Sequence, residues 1–148
     1  MEPWGIRTEL IMLGRLVLAV VLAGLVGYER EQADKPAGFR THILVGMGAA
    51  LFTVVSTYGF GGQGDPGRVA AQIVTGVGFL GAGTIFRSEG MVLGLTTAAS
   101  IWAVAAIGTA VAVGMYWMSV VATVIMLLVL RLPWGRPSRG VGRPSAPQ

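Results

Sequence analysis

Residues 91–130 read MVLGLTTAASIWAVAAIGTAVAVGMYWMSVVATVIMLLVL, forty positions without one charged side chain. As a single helix this stretch would rise about 60 Å, at about 1.5 Å per residue, against a bilayer hydrocarbon core of about 30 Å. It must fold back on itself. The sequence places the break near Ala112–Trp117, where Gly114 relaxes the backbone and Tyr116 and Trp117 suit the membrane interface. Two spans therefore lie within these forty residues. Working toward the N-terminus, three further apolar runs follow: Val69 to Phe86 and Ile43 to Phe60, both free of charge, and Leu10 to Tyr28, interrupted only by Arg15. The expected fold class is all-α, a polytopic membrane protein built as a bundle of five transmembrane helices.

Composition agrees. Of 148 residues, 53% are hydrophobic and only 12% charged, about half the charged share of a soluble domain. The mean hydropathy is +0.69. Twenty-three glycines suit close-packed membrane helices. With no cysteine there is no disulfide, thiolate metal site or cysteine nucleophile, and one histidine excludes a multi-histidine zinc centre. The pI of about 10.4 does not point to nucleic acid, because the basic residues lie between apolar runs. They order the topology instead. Arg30, Lys35, Arg40, Arg87, Arg131, Arg136, Arg139 and Arg143 fall on one side of the five spans; Arg7, Arg15 and Arg68 fall on the other. Eight against three puts the N-terminus outside and the C-terminus in the cytoplasm. A cleaved signal peptide is disfavoured, since Glu2 and Glu9 oppose Arg7 and Arg15 breaks the apolar run. Residues 1–132 form the membrane domain. Residues 133–148, rich in Pro, Gly, Ser and Arg, are expected to be a disordered cytoplasmic tail able to contact anionic lipid.

Gly76, Gly78 and Gly81 match the dinucleotide fingerprint G-x-G-x-x-G, but they sit inside a charge-free span without a preceding strand, and Ile101 stands where an acidic residue is needed. Helix packing explains them better. Ala71, Thr75, Gly78 and Ala82 form a small-residue stripe on the third helix; Ala99, Ala103, Ala106 and Ala110 form another on the fourth. Gly76, Gly78, Gly81, Gly83, Ala99 and Ala103 are accordingly expected at helix contacts. The densest polar stretch is residues 28–42. Lys35, Glu31 and Gln32 read as solvated loop. Glu29 and Arg40, at the facing ends of consecutive antiparallel helices, are expected to pair or to hold a polar ligand, with Thr41 beside them. His42 is read as a hydrogen-bonding residue at a span end, against a titrating role. Asp65 caps the third helix, Pro66 begins it, and Arg68 precedes Gln72 by one turn. Gln72 needs a partner inside its span. Arg15, about 9 Å into the first span, either snorkels outward or pairs with Asp65. Arg87 and Glu89 read as a short cytoplasmic turn.

Gly27-Tyr28-Glu29-Arg30, followed by PAGFRTH at 36–42, resembles the first characteristic block of the MgtC/SapB family of bacterial membrane proteins. DPGRVAAQIVTGVGFLGAG at 65–83 resembles the second, and GLTTAASIW at 94–102 the third. The likeness extends roughly from Leu10 to Leu130. It implies an inner-membrane protein of five spans with a cytoplasmic C-terminus, connected with magnesium limitation and, in pathogens, with survival inside host cells. It favours an inhibitory regulator of the F-type ATP synthase over a magnesium transporter, although older names in the family speak of a magnesium transport ATPase. No phosphate-binding lysine loop supports an ATPase here. The best-known members carry a folded cytoplasmic domain where this sequence has a basic tail, and some virulence-associated members have asparagine where Thr96 stands.

Two functions from different classes follow. One is a non-enzymatic regulator docking on another membrane complex. The other is an oligomeric transporter or channel for magnesium or another cation. Magnesium is held by oxygen ligands, and the spans contain no Asp or Glu; only carbonyls and the hydroxyls of Thr75, Thr96 and Thr97 are on offer. No nucleophile–base pair or metal cluster points to an enzyme, and no cofactor is expected. The candidate ligand- or partner-binding residues are Glu29, Arg30, Arg40, Thr41, His42, Asp65, Arg68, Gln72, Thr96 and Thr97. The expected partners are the lipid bilayer, a membrane complex such as the ATP synthase, and further copies of the chain.

Overall fold

A computed structural model describes residues 5–60, 65–88 and 91–132. The expected tail 133–148 and Glu89 lie outside the described residues. Five helices and one hairpin follow in order: α1 (Ile6–Gln32), α2 (Phe39–Tyr58), α3 (Pro66–Ala82), β1 (Phe86–Ser88), β2 (Met91–Leu93), α4 (Leu95–Ala112) and α5 (Tyr116–Arg131). Three of them, α1, α2 and α4, are long and apolar enough to cross a membrane. With 17 and 16 residues, α3 and α5 rise only about 24–26 Å. Five helices stand where five spans were expected, and length and composition support three of them as crossings.

The forty-residue run does fold back where Gly114 sits. Gly114 has φ +90° and closes the turn between α4 and α5. The run also breaks earlier than expected. Met91–Leu93 pairs antiparallel with Phe86–Ser88, in the register Phe86 opposite Leu93, Arg87 opposite Val92 and Ser88 opposite Met91. The turn expected at Arg87 is thus a small sheet. Gly94, at φ +89°, converts strand into helix, and a side chain there would collide with the Thr84 carbonyl. Local polar contacts set two other helix starts. The Glu31 carboxylate accepts the backbone N–H of Phe39 at 2.7 Å, so α2 begins four residues before the expected Ile43. Asp65 accepts the Gly67 N–H at 2.9 Å and caps α3 as expected.

Helices α1, α2 and α4 form the central packed unit, with α3 on α4 and α2, and α5 on α4 and α1. Their shared core holds Ala19, Leu22, Ala50, Val54, Ile107, Val111 and Ala112, continued by Ala23, Val26 and Val104. The tightest approach is between α2 and α4. A Cβ on Gly108 would strike the backbone of Gly46, and one on Gly46 would come within 2.6 Å of the Ala23 Cβ. Small residues therefore do bring the helices together, but on α1, α2 and α4.

The expected stripe is elsewhere. Ala71, Thr75, Gly78 and Ala82 are exposed on α3, and nothing lies within 4 Å of a Cβ built at Gly76 or Gly78. Gly83 and Ala99 are also exposed, and Ala103 is half-buried. Among these candidates Gly81 is the buried one, against Ala98 of α4 at 3.3–3.6 Å. The physical reason is that α3 turns Ile73 and Val77 inward rather than its smallest residues, leaving apolar clefts of about 290 Å³ toward α2 and about 260 Å³ toward α4. Overpacking a tight contact costs about 1–3 kcal/mol. Gly108→Val should therefore lower the thermal midpoint and the yield of folded protein in detergent, whereas Gly78→Val should match the parent chain. Fluorescence-detected gel filtration after heating measures both.

Candidate functional site

Polar side chains of the helical unit gather at its two ends. At the end formed by the N-terminal part of α1 and the C-terminal parts of α2 and α4, Arg15 is clasped by three groups. Its Nε donates to the Tyr116 hydroxyl at 3.0 Å, and Nη1 donates to the Tyr58 hydroxyl at 2.8 Å and the Ala112 carbonyl at 2.7 Å. Asp65, one of its expected partners, does not hold it; two tyrosines and a helix-end carbonyl do. Helix α1 is thereby tied to α2, α4 and α5 at once. Arg68 and Gln72 are exposed on the first turns of α3.

The opposite end, called here the basic end, holds the more concentrated chemistry. Glu29 and Arg30, the last turn of α1, are 9% and 2% exposed and form an ion pair. Arg30 Nη2 also donates to the Leu130 carbonyl at 3.3 Å, bridging α1 to α5. Removing a buried charge pair from water costs several kcal/mol per ion unless geometry and hydrogen bonds compensate. This pair has both. The adjacent histidine is satisfied too. His42, 0% exposed, has Nδ1 at 2.9 Å from the Gly38 carbonyl and Nε2 at 2.9 Å from Ser100 Oγ. Ser100 Oγ also lies 2.7 Å from the Thr97 carbonyl, so its single proton is shared between that carbonyl and His42 Nε2. His42 thus fastens α2 to the first turns of α4. Gly27 makes this possible, since a Cβ there would press on Phe39 Cα at 2.8 Å and His42 Cβ at 3.0 Å.

The expected cluster of Glu29, Arg40 and Thr41 does not assemble. Glu29 takes its own neighbour, Arg30, as partner. Because α2 starts at Phe39, the direction that meets α1 carries Phe39 and His42, while Arg40 and Thr41 point away and are exposed. Ser100 and Glu31 were missed. The signal for Ser100 was a polar residue three positions after Thr97 on an otherwise apolar helix.

A vestibule of about 870 Å³ opens at the basic end. Arg30, Asp34 and Lys35 line it from the α1–α2 connection, Thr96 and Thr97 from the first turn of α4, Phe86, Val92 and Leu93 from the hairpin, and Val129 and Leu130 from α5. Sequence reasoning named Arg30, Thr96 and Thr97 separately; the fold brings them to one opening. Among the described residues no group of three or more His, Asp or Glu side chains is placed to hold a metal ion.

Apolar spans around buried polar ends define an α-helical membrane protein. A family model described as the MgtC family matches residues 16–133, and the chain belongs to that family. It is 50% identical over 125 residues to a protein of Escherichia coli (strain K12) named "Putative magnesium transporter YhiD", covering 80% of this chain and 58% of that protein. It is 48% identical over 111 residues to "Protein MgtC" of Brucella abortus (strain 2308), covering 75% and 46%. Against "Protein MgtC" of Salmonella typhimurium (strain 14028s / SGSC 2262) it is 45% identical over 112 residues, covering 76% and 48%. The chain spans about half the length of the curated relatives it matches. No solved structure matches it.

The buried hydrogen bonds at the basic end carry a stability consequence. Ser100→Ala leaves His42 Nε2 buried without a partner, which costs about 1–3 kcal/mol. The variant should still insert in membranes, with a lowered thermal midpoint in detergent scanning.

Proposed function

We propose that the chain is a non-enzymatic protein of the bacterial inner membrane that serves magnesium homeostasis by docking on and regulating another membrane complex, with the F-type ATP synthase the leading partner. The observation that carries this reading is the apolar core between the two polar ends. From Ala19 to Val26, Ala49 to Val54 and Val104 to Ala112, the buried side chains facing one another are apolar or small. The hydroxyls at Thr53 and Thr109 are spent on carbonyls of their own helices, at 2.8 and 3.0 Å. Magnesium surrenders its water reluctantly and asks for oxygen ligands. A single copy offers it no such line of ligands. Magnesium itself enters through the name of the Escherichia coli relative.

Transport by an assembly of copies is the second reading, favoured by that name and by the exposed, small-residue face of α3, on which subunits can meet. Purified full chain in proteoliposomes loaded with a magnesium indicator should show no flux above empty liposomes. Affinity capture from native membranes grown at low magnesium should recover ATP synthase subunits, and added protein should slow ATP-driven proton pumping in inverted vesicles. Robust flux from the purified chain overturns the regulator reading in favour of the assembly.

The same proposal orients the chain by its eight-to-three basic bias, N-terminus outside. Reporter fusions at Pro36 and after Arg131 should both read as cytoplasmic; disagreement between them would replace the five-span arrangement.

A further inference from the structure

We infer that the vestibule at the basic end binds an anionic phosphate group, as carried by an acidic phospholipid headgroup or by free phosphate. This stands whichever of the two functional readings holds.

Two polar side chains that are nearly fully buried lead to it. Thr97 is 2% exposed and lines the vestibule, yet its hydroxyl makes no hydrogen bond with the described residues. A buried threonine on a helix ordinarily spends its hydroxyl on a carbonyl one turn back, as Thr53, Thr109 and Thr123 do here at 2.8, 3.0 and 2.8 Å. Thr97 keeps its donor for the opening. Arg30 is also 2% exposed and lines the same space. Its Nε is taken by Glu29 and its Nη2 by the Leu130 carbonyl, which leaves Nη1 without an acceptor among the described residues. Those bonds hold the guanidinium plane fixed, and a fixed guanidinium is suited to phosphate oxygens.

The backbone adds a third contribution. Helix α4, 18 residues long, begins at the vestibule with no side-chain cap, and its first helical backbone bond is donated by Ala98 to Gly94. Among the described residues the N–H groups of Leu95, Thr96 and Thr97 therefore have no acceptor, and they stand at the positive end of the helix dipole, a combination that favours anions. Lys35 stands on the rim, with Asp34 beside it. Glu29, behind Arg30, balances the guanidinium charge, so the attraction rests on directed donors more than on net charge. A cation is poorly served: donors converge here, and Asp34 is the one carboxylate among the lining residues. The apolar walls from the hairpin and the last turn of α5 leave room for the first carbons of an acyl chain.

The test uses the full chain in phosphatidylcholine nanodiscs, with and without phosphatidylglycerol, and inorganic phosphate titrated in a separate arm. Binding is read by native mass spectrometry and by thermal midpoint. Thr97→Val removes a hydroxyl that makes no hydrogen bond among the described residues, so the variant should fold as the parent does. Its affinity should fall about tenfold, as loss of one hydrogen bond to a charged group implies. Thr75→Val, on α3 and away from the vestibule, should bind as the parent chain does. Any contribution from the arginines beyond residue 132 is the same in all three chains. Selective retention of phosphatidylglycerol, lost in Thr97→Val, identifies a lipid site; saturation by inorganic phosphate with the same loss identifies a soluble anion. Equal binding by parent and Thr97→Val, or no preference of the parent for either anion over phosphatidylcholine, overturns the proposal.

Discussion

The close crossing of α2 and α4 at Gly46 and Gly108 is the constraint on which the rest of the structure depends. In lipid there is little hydrophobic gain from bringing two apolar helices together, so association rests on van der Waals contact at short range. Only residues without side chains permit backbone to touch backbone, and here Gly108 does so directly against Gly46. Helix α1 then fits the groove between the pair with Ala19 and Ala23, themselves among the smallest side chains available. A three-helix unit packed this closely has an apolar centre, and its ionic groups lie toward the two ends.

At those ends, several polar side chains reach across to an element other than their own. Arg15 reaches from α1 to α2, α4 and α5; Arg30 from α1 to α5; His42 from α2 to α4. Glu31 reaches from α1 to the start of α2. These directional bonds fix the register of helices whose apolar flanks would otherwise slide with small cost. The two peripheral helices differ in this respect. Through the Arg15 and Arg30 contacts α5 is tied to the central unit at both its ends, whereas α3 is seated by Gly81 against Ala98 and by apolar side chains beside open clefts.

The number and order of helices were legible in the sequence because apolar runs interrupted by charge, glycine and proline are a one-dimensional signal. The need for a reversal followed from length, and Gly114, Tyr116 and Trp117 marked its place. What escaped was whatever depends on direction around a helix. Small residues recur on α1, α2, α3 and α4, and spacing cannot say which stripe meets which; the third helix bore the most regular stripe, yet it faces outward. In the same way Glu29 had two neighbouring arginines, and the start of α2 at Phe39 decided between them by turning Arg40 away. The pairing of Phe86–Ser88 with Met91–Leu93 was hidden because three-residue strands leave no periodicity to read. At the candidate site, His42 was named from its place at a span end and Thr97 for its hydroxyl, but their meeting at Ser100 required the fold.

The chain order of the packed unit has a consequence for biogenesis. Helix α4 completes the central unit with α1 and α2, but the ribosome delivers α3 and the hairpin before it. Until residue 112 has left the exit tunnel, the groove at Gly46 has no occupant, His42 lacks Ser100, and Arg15 lacks the Ala112 carbonyl. The Glu29–Arg30 pair, within α1, needs no later helix, whereas the His42 and Arg15 contacts wait for α4. A chain cut short before α4 would therefore keep the Gly46 face of α2 uncovered.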